Sequence, residues 1–78
     1  MGECFVSFSS AEDVRNFVTI ATQQIFHIQL ESGELQTNAK SIMSIFSMGL
    51  HRPLRLVILD PDADTRPFFS AVEAFLVS

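Results

Sequence analysis

With 78 residues, one cysteine and a formal net charge of −4, the chain has room for one domain near the lower size limit for a self-supporting core. Cys4 has no cysteine partner, so no internal disulfide is possible and a reducing cytoplasm is the expected setting. The acidic balance argues against general affinity for nucleic acid or anionic membrane.

Cys4 to Phe8 places Phe5 and Phe8 around smaller residues and reads as a short strand. Ser9-Ser10-Ala11-Glu12 then resembles a helix start. Ser9 as N-cap with Glu12 three residues on makes a capping box, and Asp13 adds a first-turn acid. Val14, Phe17, Val18, Ala21 and Ile25 follow at spacings of three and four, the stripe of an amphipathic helix. Phe26, Ile28 and Leu30 alternate with His27, Gln29 and Glu31, which is period two and predicts a half-buried strand. Ser32-Gly33 supplies a hairpin turn, and Glu34 to Asn38 returns as the second strand.

Ser41 opens a short helix carrying Ile42, Ile45 and Phe46, and Gly49 is a natural stop for it. Leu54 to Leu59 is the most β-like run, closed by Asp60-Pro61. A last helix is expected from about Asp64 to Val77, with Phe68, Val72, Phe75 and Leu76 on one face. Pro67 is tolerated there because it lies in the first turn. The predicted order is βαββαβα. It points to an α+β domain over residues 1–78, an open-faced two-layer sandwich with helices on one face of an antiparallel four-stranded sheet.

The sequence holds no enzyme constellation. Cys4, His27 and His51 do not form a metal-ligand spacing, and three scattered glycines make no phosphate loop. Asp60, Asp62 and Asp64 read as turn and cap chemistry, and a calcium loop fails for want of its glycine and terminal glutamate. Hence no cofactor and no metal are expected. Glu3 and the lack of a long apolar run argue against a secretory signal, and Val6 against myristoylation of the Met1-Gly2 start. No window is long enough to span a bilayer.

Asn38-Ala39-Lys40-Ser41-Ile42-Met43, followed by Ser47 and Gly49, resembles the regulatory-serine segment of HPr, the histidine-containing phosphocarrier of the bacterial sugar phosphotransferase system. The resemblance runs by pattern from about Phe5 to Leu76 and extends to the predicted element order. It implies that Ser41 is the site of a dedicated serine kinase, and that Ile42, Met43, Phe46 and Met48 form an apolar surface docking onto phosphotransferase-system or regulatory proteins. It further implies a role in sugar transport or carbon catabolite regulation. Phosphorylation would add about −1.5 to −2 charges at a helix N-terminus, where the dipole favours them. The simpler reading is that Ser41 caps its helix and that part of the apolar stripe is core.

The family's phosphoryl-accepting histidine, in the motif GIHARP, is missing. In register with Ser41, the matching stretch is Phe8-Ser9-Ser10-Ala11-Glu12-Asp13. Ser10 stands at the histidine position, Glu12 at the arginine position and Asp13 at the proline position. A serine ester is a poor relay, and two carboxylates on that turn repel a phosphoryl dianion. Hence the expectation is a non-catalytic HPr-like regulatory protein, not an enzyme, switched at Ser41.

Two alternatives stand beside it. One is a phosphocarrier with a relocated acceptor, His51 beside Arg52 as an anion site, or Ser10. The other is a divergent scaffold with an unrelated partner. For His51 and Arg52 the simpler reading is two exposed loop residues before Pro53, and for Ser10 it is capping. His27, on the polar face of its strand, is expected to be solvated. Protein partners, no nucleic acid, no membrane insertion and a monomer or weak dimer complete the expectation.

Overall fold

A computed structural model describes residues 4–77; the expectations about Met1, Gly2 and Glu3 lie outside them. The chain runs β1 (Cys4–Val6), α1 (Ala11–Thr22), β2 (Ile28–Ser32), β3 (Leu35–Asn38), α2 (Ile42–Met48), β4 (Leu54–Ile58), α3 (Arg66–Ala71), a 3₁₀ turn (Glu73–Phe75) and β5 (Leu76–Val77). The sheet is antiparallel throughout, in the order β3-β2-β4-β1-β5. Thus the fold is α+β, as expected, but with five strands instead of four.

The extra strand corrects the reading of the C-terminus. The expected helix over Asp64 to Val77 stops at Ala71. The chain tightens through Glu73–Phe75 and returns as β5, pairing Phe5 with Val77 and Val6 with Leu76. Ser7 N–H also donates to Phe75 C=O at 2.8 Å. These bonds satisfy β1 backbone groups that a continuing helix would leave unpaired. Pro67 does sit in the first turn of α3.

One face of the sheet carries the core. Ile28 and Leu30 of β2, Leu54 and Leu56 of β4 and Val6 of β1 are buried, while Gln29, Glu31 and Arg55 between them are not. This alternation is the period-two signature of a strand with one wet face. The helices supply the other half of the core: Val14, Phe17 and Ala21 from α1, Ile45 from α2, and Phe68 with Val72 from the C-terminal segment. Phe17 lies at the centre, with ring centroids 5.2 Å from Phe8, 6.1 Å from Phe68 and 6.2 Å from Phe75. Phe68 extends the cluster to Phe26 and Phe69.

Boundaries shift elsewhere too. β1 ends at Val6, yet Phe8 is still buried; β2 starts at Ile28, yet Phe26 is still buried in the preceding loop. Ile25 does not continue the α1 stripe. The helix closes through Gln23 N–H to Ile20 C=O and Gln24 N–H to Ala21 C=O, and Ile25 is left 98% exposed. The Ser32-Gly33 turn is present, with Gly33 at φ +61°, a left-handed conformation that glycine adopts without steric cost. Its return strand begins at Leu35, exposed at the sheet edge.

Candidate functional site

The start of α1 is where the resemblance places a phosphoryl site, and here it is occupied by its own side chains. Ser10, not Ser9, is the N-cap: its backbone is extended and its hydroxyl accepts from Asp13 N–H at 3.3 Å. Asp13 reaches back, and its carboxylate accepts from Ser9 N–H at 3.0 Å and from the Ser9 hydroxyl at 2.8 Å. The cap therefore uses Ser10 and not Ser9, and the return bond comes from Asp13 and not Glu12, reaching Ser9 one residue before the cap in place of the N-cap N–H of a capping box. Asp13 does not compete with Ser10 for the helix N–H groups; it closes the turn behind them. The bonds from Ser9, backbone first, hold the Asp13 carboxyl below its ordinary range.

Two outcomes follow. Ser10→Ala is expected to cost about 1 kcal/mol, within the range for lost N-caps, while Glu12→Ala changes stability little; urea denaturation of the pair checks both. The second concerns acid. A carboxyl with a depressed native pKa stabilises the fold above its unfolded value, near pH ~4, and this contribution is lost as pH falls through the native pKa. Asp13→Asn is thus expected to flatten the loss of stability below about pH 4, read from denaturation midpoints against pH.

At α2 the two faces separate. Ile45 is fully buried. Met43 is 73% exposed and Phe46 is also exposed, whereas Ile42 and Met48 are half-buried against the core. Of the four residues expected to meet a partner, Met43 and Phe46 stand furthest out. Ser41 precedes the helix with extended backbone, but its hydroxyl makes no cap bond to the helix backbone. It donates instead to the Ser44 hydroxyl at 2.9 Å, while the Ser41 C=O accepts from Ile45 N–H. Gly49 ends the helix at φ +87°, as its sequence position suggests.

Lys40 fixes where Ser41 lies. Its ammonium donates to Gln24 C=O at 2.8 Å, just past the end of α1, and its backbone N–H donates to Asn38 Oδ1 at 2.8 Å. The residue before Ser41 is thus tied to the C-terminal end of α1, whereas Ser10 caps the opposite end of that 12-residue helix, which is about 18 Å long. The structure does not bring these two serines together. His51 packs its ring against Gly49, and Arg52 is exposed beside it. Among the described residues, neither shares a hydrogen bond or ion pair with Ser10.

His27 is solvated, as expected, but it has a partner that the sequence did not suggest. Its side chain is 75% exposed, but Nδ1 lies 3.3 Å from both carboxylate oxygens of Asp60, and its backbone N–H donates to Asp60 Oδ2 at 3.0 Å. The Leu59 N–H donates to His27 C=O. The backbone bond from His27 is the main cause holding the Asp60 carboxyl low, with Lys40 adding a weaker through-space pull. Beside the pair is a groove of about 310 Å³ lined by His27, Gln29, Gln36, Asn38, Lys40 and Leu59. The Asp60 side chain thus does not make the expected local turn or cap bond; its carboxylate is used by a histidine 33 residues earlier.

Cys4 is half-buried, and desolvation pushes its thiol up, away from nucleophilic use. Among the described residues no three His, Cys, Asp or Glu side chains are grouped to hold a metal ion, and no helix is long and apolar enough to cross a membrane. No family model matches the chain, and no curated protein or solved structure is significantly similar to it.

Proposed function

We propose that the chain is a non-catalytic, HPr-like regulatory and interaction protein that docks through α2 and is switched by phosphorylation of Ser41. The observation carrying this reading is the surface of α2, where Met43 and Phe46 are exposed directly after Ser41 while Ile45 anchors the helix in the core. A methionine-containing apolar surface adapts to a partner. Its family is read from Asn38 to Met43, with Ser47 and Gly49. Its lack of phosphocarrier activity is read from Ser10 and Asp13, which close the start of α1 upon themselves.

Phosphorylation would replace the Ser41–Ser44 hydroxyl bond with a group of about −1.5 to −2 charges, two residues from Met43. The docking patch then changes from apolar to apolar beside a dianion, which selects a different partner or releases the first. Partners of this kind are cytoplasmic phosphotransferase-system or regulatory proteins.

ATP and the HPr serine kinase are expected to add one phosphate, on Ser41, and Ser41→Ala abolishes it. Phosphoenolpyruvate with the first phosphotransferase enzyme is expected to leave Ser10 and His51 unlabelled. Failure of the kinase reaction on folded protein sinks the switch and favours a scaffold with an unrelated partner. Label on Ser10 or His51 restores the phosphocarrier reading.

A further inference from the structure

We propose that the outer edge of β3 pairs with β3 of a second copy of this chain, making a two-fold dimer with one continuous antiparallel sheet. β3 lies at one end of the sheet order β3-β2-β4-β1-β5, and the short β5, Leu76–Val77, lies at the other. Ala39 N–H donates to Ile28 C=O at 3.0 Å, in line with the β2–β3 register. Bonded and non-bonded pairs alternate along an antiparallel ladder, so Thr37 and Leu35 turn their backbone groups toward β2. Gln36 and Asn38 turn theirs outward. Asn38 C=O also accepts from Ser41 N–H at 3.1 Å, and a carbonyl has a second lone pair to offer. An edge of this kind recruits another strand unless charge, proline or a bulge blunts it. Leu35-Gln36-Thr37-Asn38 carries no charge and no proline, and Leu35 is 60% exposed on it.

The charges flanking the strand name its occupant. Glu34 is exposed on the turn before β3. Lys40 follows β3 and keeps two ammonium protons after its bond to Gln24 C=O. The strand thus runs from an acid to a base, and an antiparallel copy of itself meets it base to acid. Outward groups face outward groups when Gln36 meets Gln36, when Asn38 meets Asn38, or when Gln36 meets Asn38. The last of these registers sets Glu34 opposite Lys40 at both ends and Thr37 opposite Thr37 on the axis. Opposed unlike charges and paired threonines both stabilise an antiparallel sheet. The net charge of −4 repels a second copy at long range, and this local match offsets the repulsion at the contact.

In this register each Gln36 exchanges both backbone bonds with Asn38 of the other copy. Directly opposed residues on paired strands project to the same face. The helices of both copies therefore cover one side of the joined sheet, and its other side stays wet throughout. An edge contact this short belongs with weak, concentration-dependent interfaces. The assignment does not depend on phosphorylation of Ser41 or on docking through α2.

Sedimentation equilibrium of the full chain, from micromolar to millimolar concentration, is expected to show the average mass rising from one chain toward two and no further. Amide hydrogen exchange locates the contact. Gln36 and Asn38 N–H gain protection with concentration, while Leu35 and Thr37, already turned to β2, do not. Gln36→Pro removes an outward donor that the monomer does not use and is expected to leave a folded monomer at every concentration. Glu34→Lys sets like charges opposite each other and weakens the dimer several-fold, and adding Lys40→Glu restores it. Thr37→Cys, in a Cys4→Ser background, is expected to cross-link under oxidation faster than Gln36→Cys in the same background, because only Thr37 meets itself. A chain that stays monomeric at millimolar concentration leaves the edge to a foreign strand and overturns the assignment. So do assemblies beyond two chains, unchanged exchange at Gln36 and Asn38, and a dimer that persists in a folded Gln36→Pro protein.

Discussion

Replacing Phe17 with alanine is expected to lower stability by about 3–5 kcal/mol, the range for emptying a buried phenylalanine site. Phe17 is fully buried, and its ring meets Phe8, Phe68 and Phe75 from three different parts of the chain. Each edge-to-face contact adds about 0.5–1.5 kcal/mol beyond burial. Total stabilities for small domains begin near ~5 kcal/mol, so the variant is expected to be largely unfolded or to melt well below the parent. Circular dichroism against urea concentration measures it. A loss under about 1 kcal/mol is incompatible with a central Phe17.

The same residue shows what the sequence made legible. Val14, Phe17 and Ala21 fall on the buried face of α1 because their spacing matches 3.6 residues per turn. Ile28 and Leu30 fall inward on β2 because they alternate with Gln29 and Glu31. Even where a boundary was misplaced, the side-chain phase held: Phe26 is buried although β2 starts two residues later. Local periodicity records which side chains enter the core, and the physical reason is that burial dominates folding energetics.

Periodicity fails where a remote pairing decides. Phe68, Val72, Phe75 and Leu76 sit at helical spacing, and a helix through Val77 satisfies that pattern. The actual outcome depends on β1, some 70 residues earlier, offering an unpaired edge to Leu76–Val77. Ile25 fails for a different reason. It extends the α1 stripe, but the helix closes at Gln23 and the next turn points Ile25 to solvent.

The candidate site divides in the same way. Ser41 with Met43 and Phe46 is contiguous in the chain, so its composition could be read directly. Ser10 and Asp13 are three residues apart, and the cap was legible to within one residue. His27 and Asp60 are 33 residues apart. Asp60 is one of three closely spaced aspartates, and nothing local distinguishes it from Asp62 or Asp64. Asp64 instead accepts from the Arg66 side chain at 3.1 Å and its backbone N–H at 3.3 Å, a local bond of the predicted kind. Antiparallel β2–β4 pairing, with Ile28 opposite Ile58, is what carries His27 to Asp60.

The sharpest division within one element is on α2, and it yields the second large effect. Ile45→Ala is expected to cost about 2–5 kcal/mol, because the side chain is fully buried between α2 and the sheet. Met43→Ala, two residues earlier, removes a side chain that is 73% exposed and is expected to change stability by less than about 0.5 kcal/mol. Urea denaturation of both variants gives the contrast directly. It also constrains the docking proposal, because a surface kept for a partner must be dispensable to the fold that presents it. Phe46, at 37% exposure, falls between the two and should show an intermediate cost. If Met43→Ala instead destabilised the chain as much as Ile45→Ala, the patch would be part of the core. The apolar face of α2 would then have no surplus to offer a partner, and Ser41 would be left as the only feature arguing for a switch.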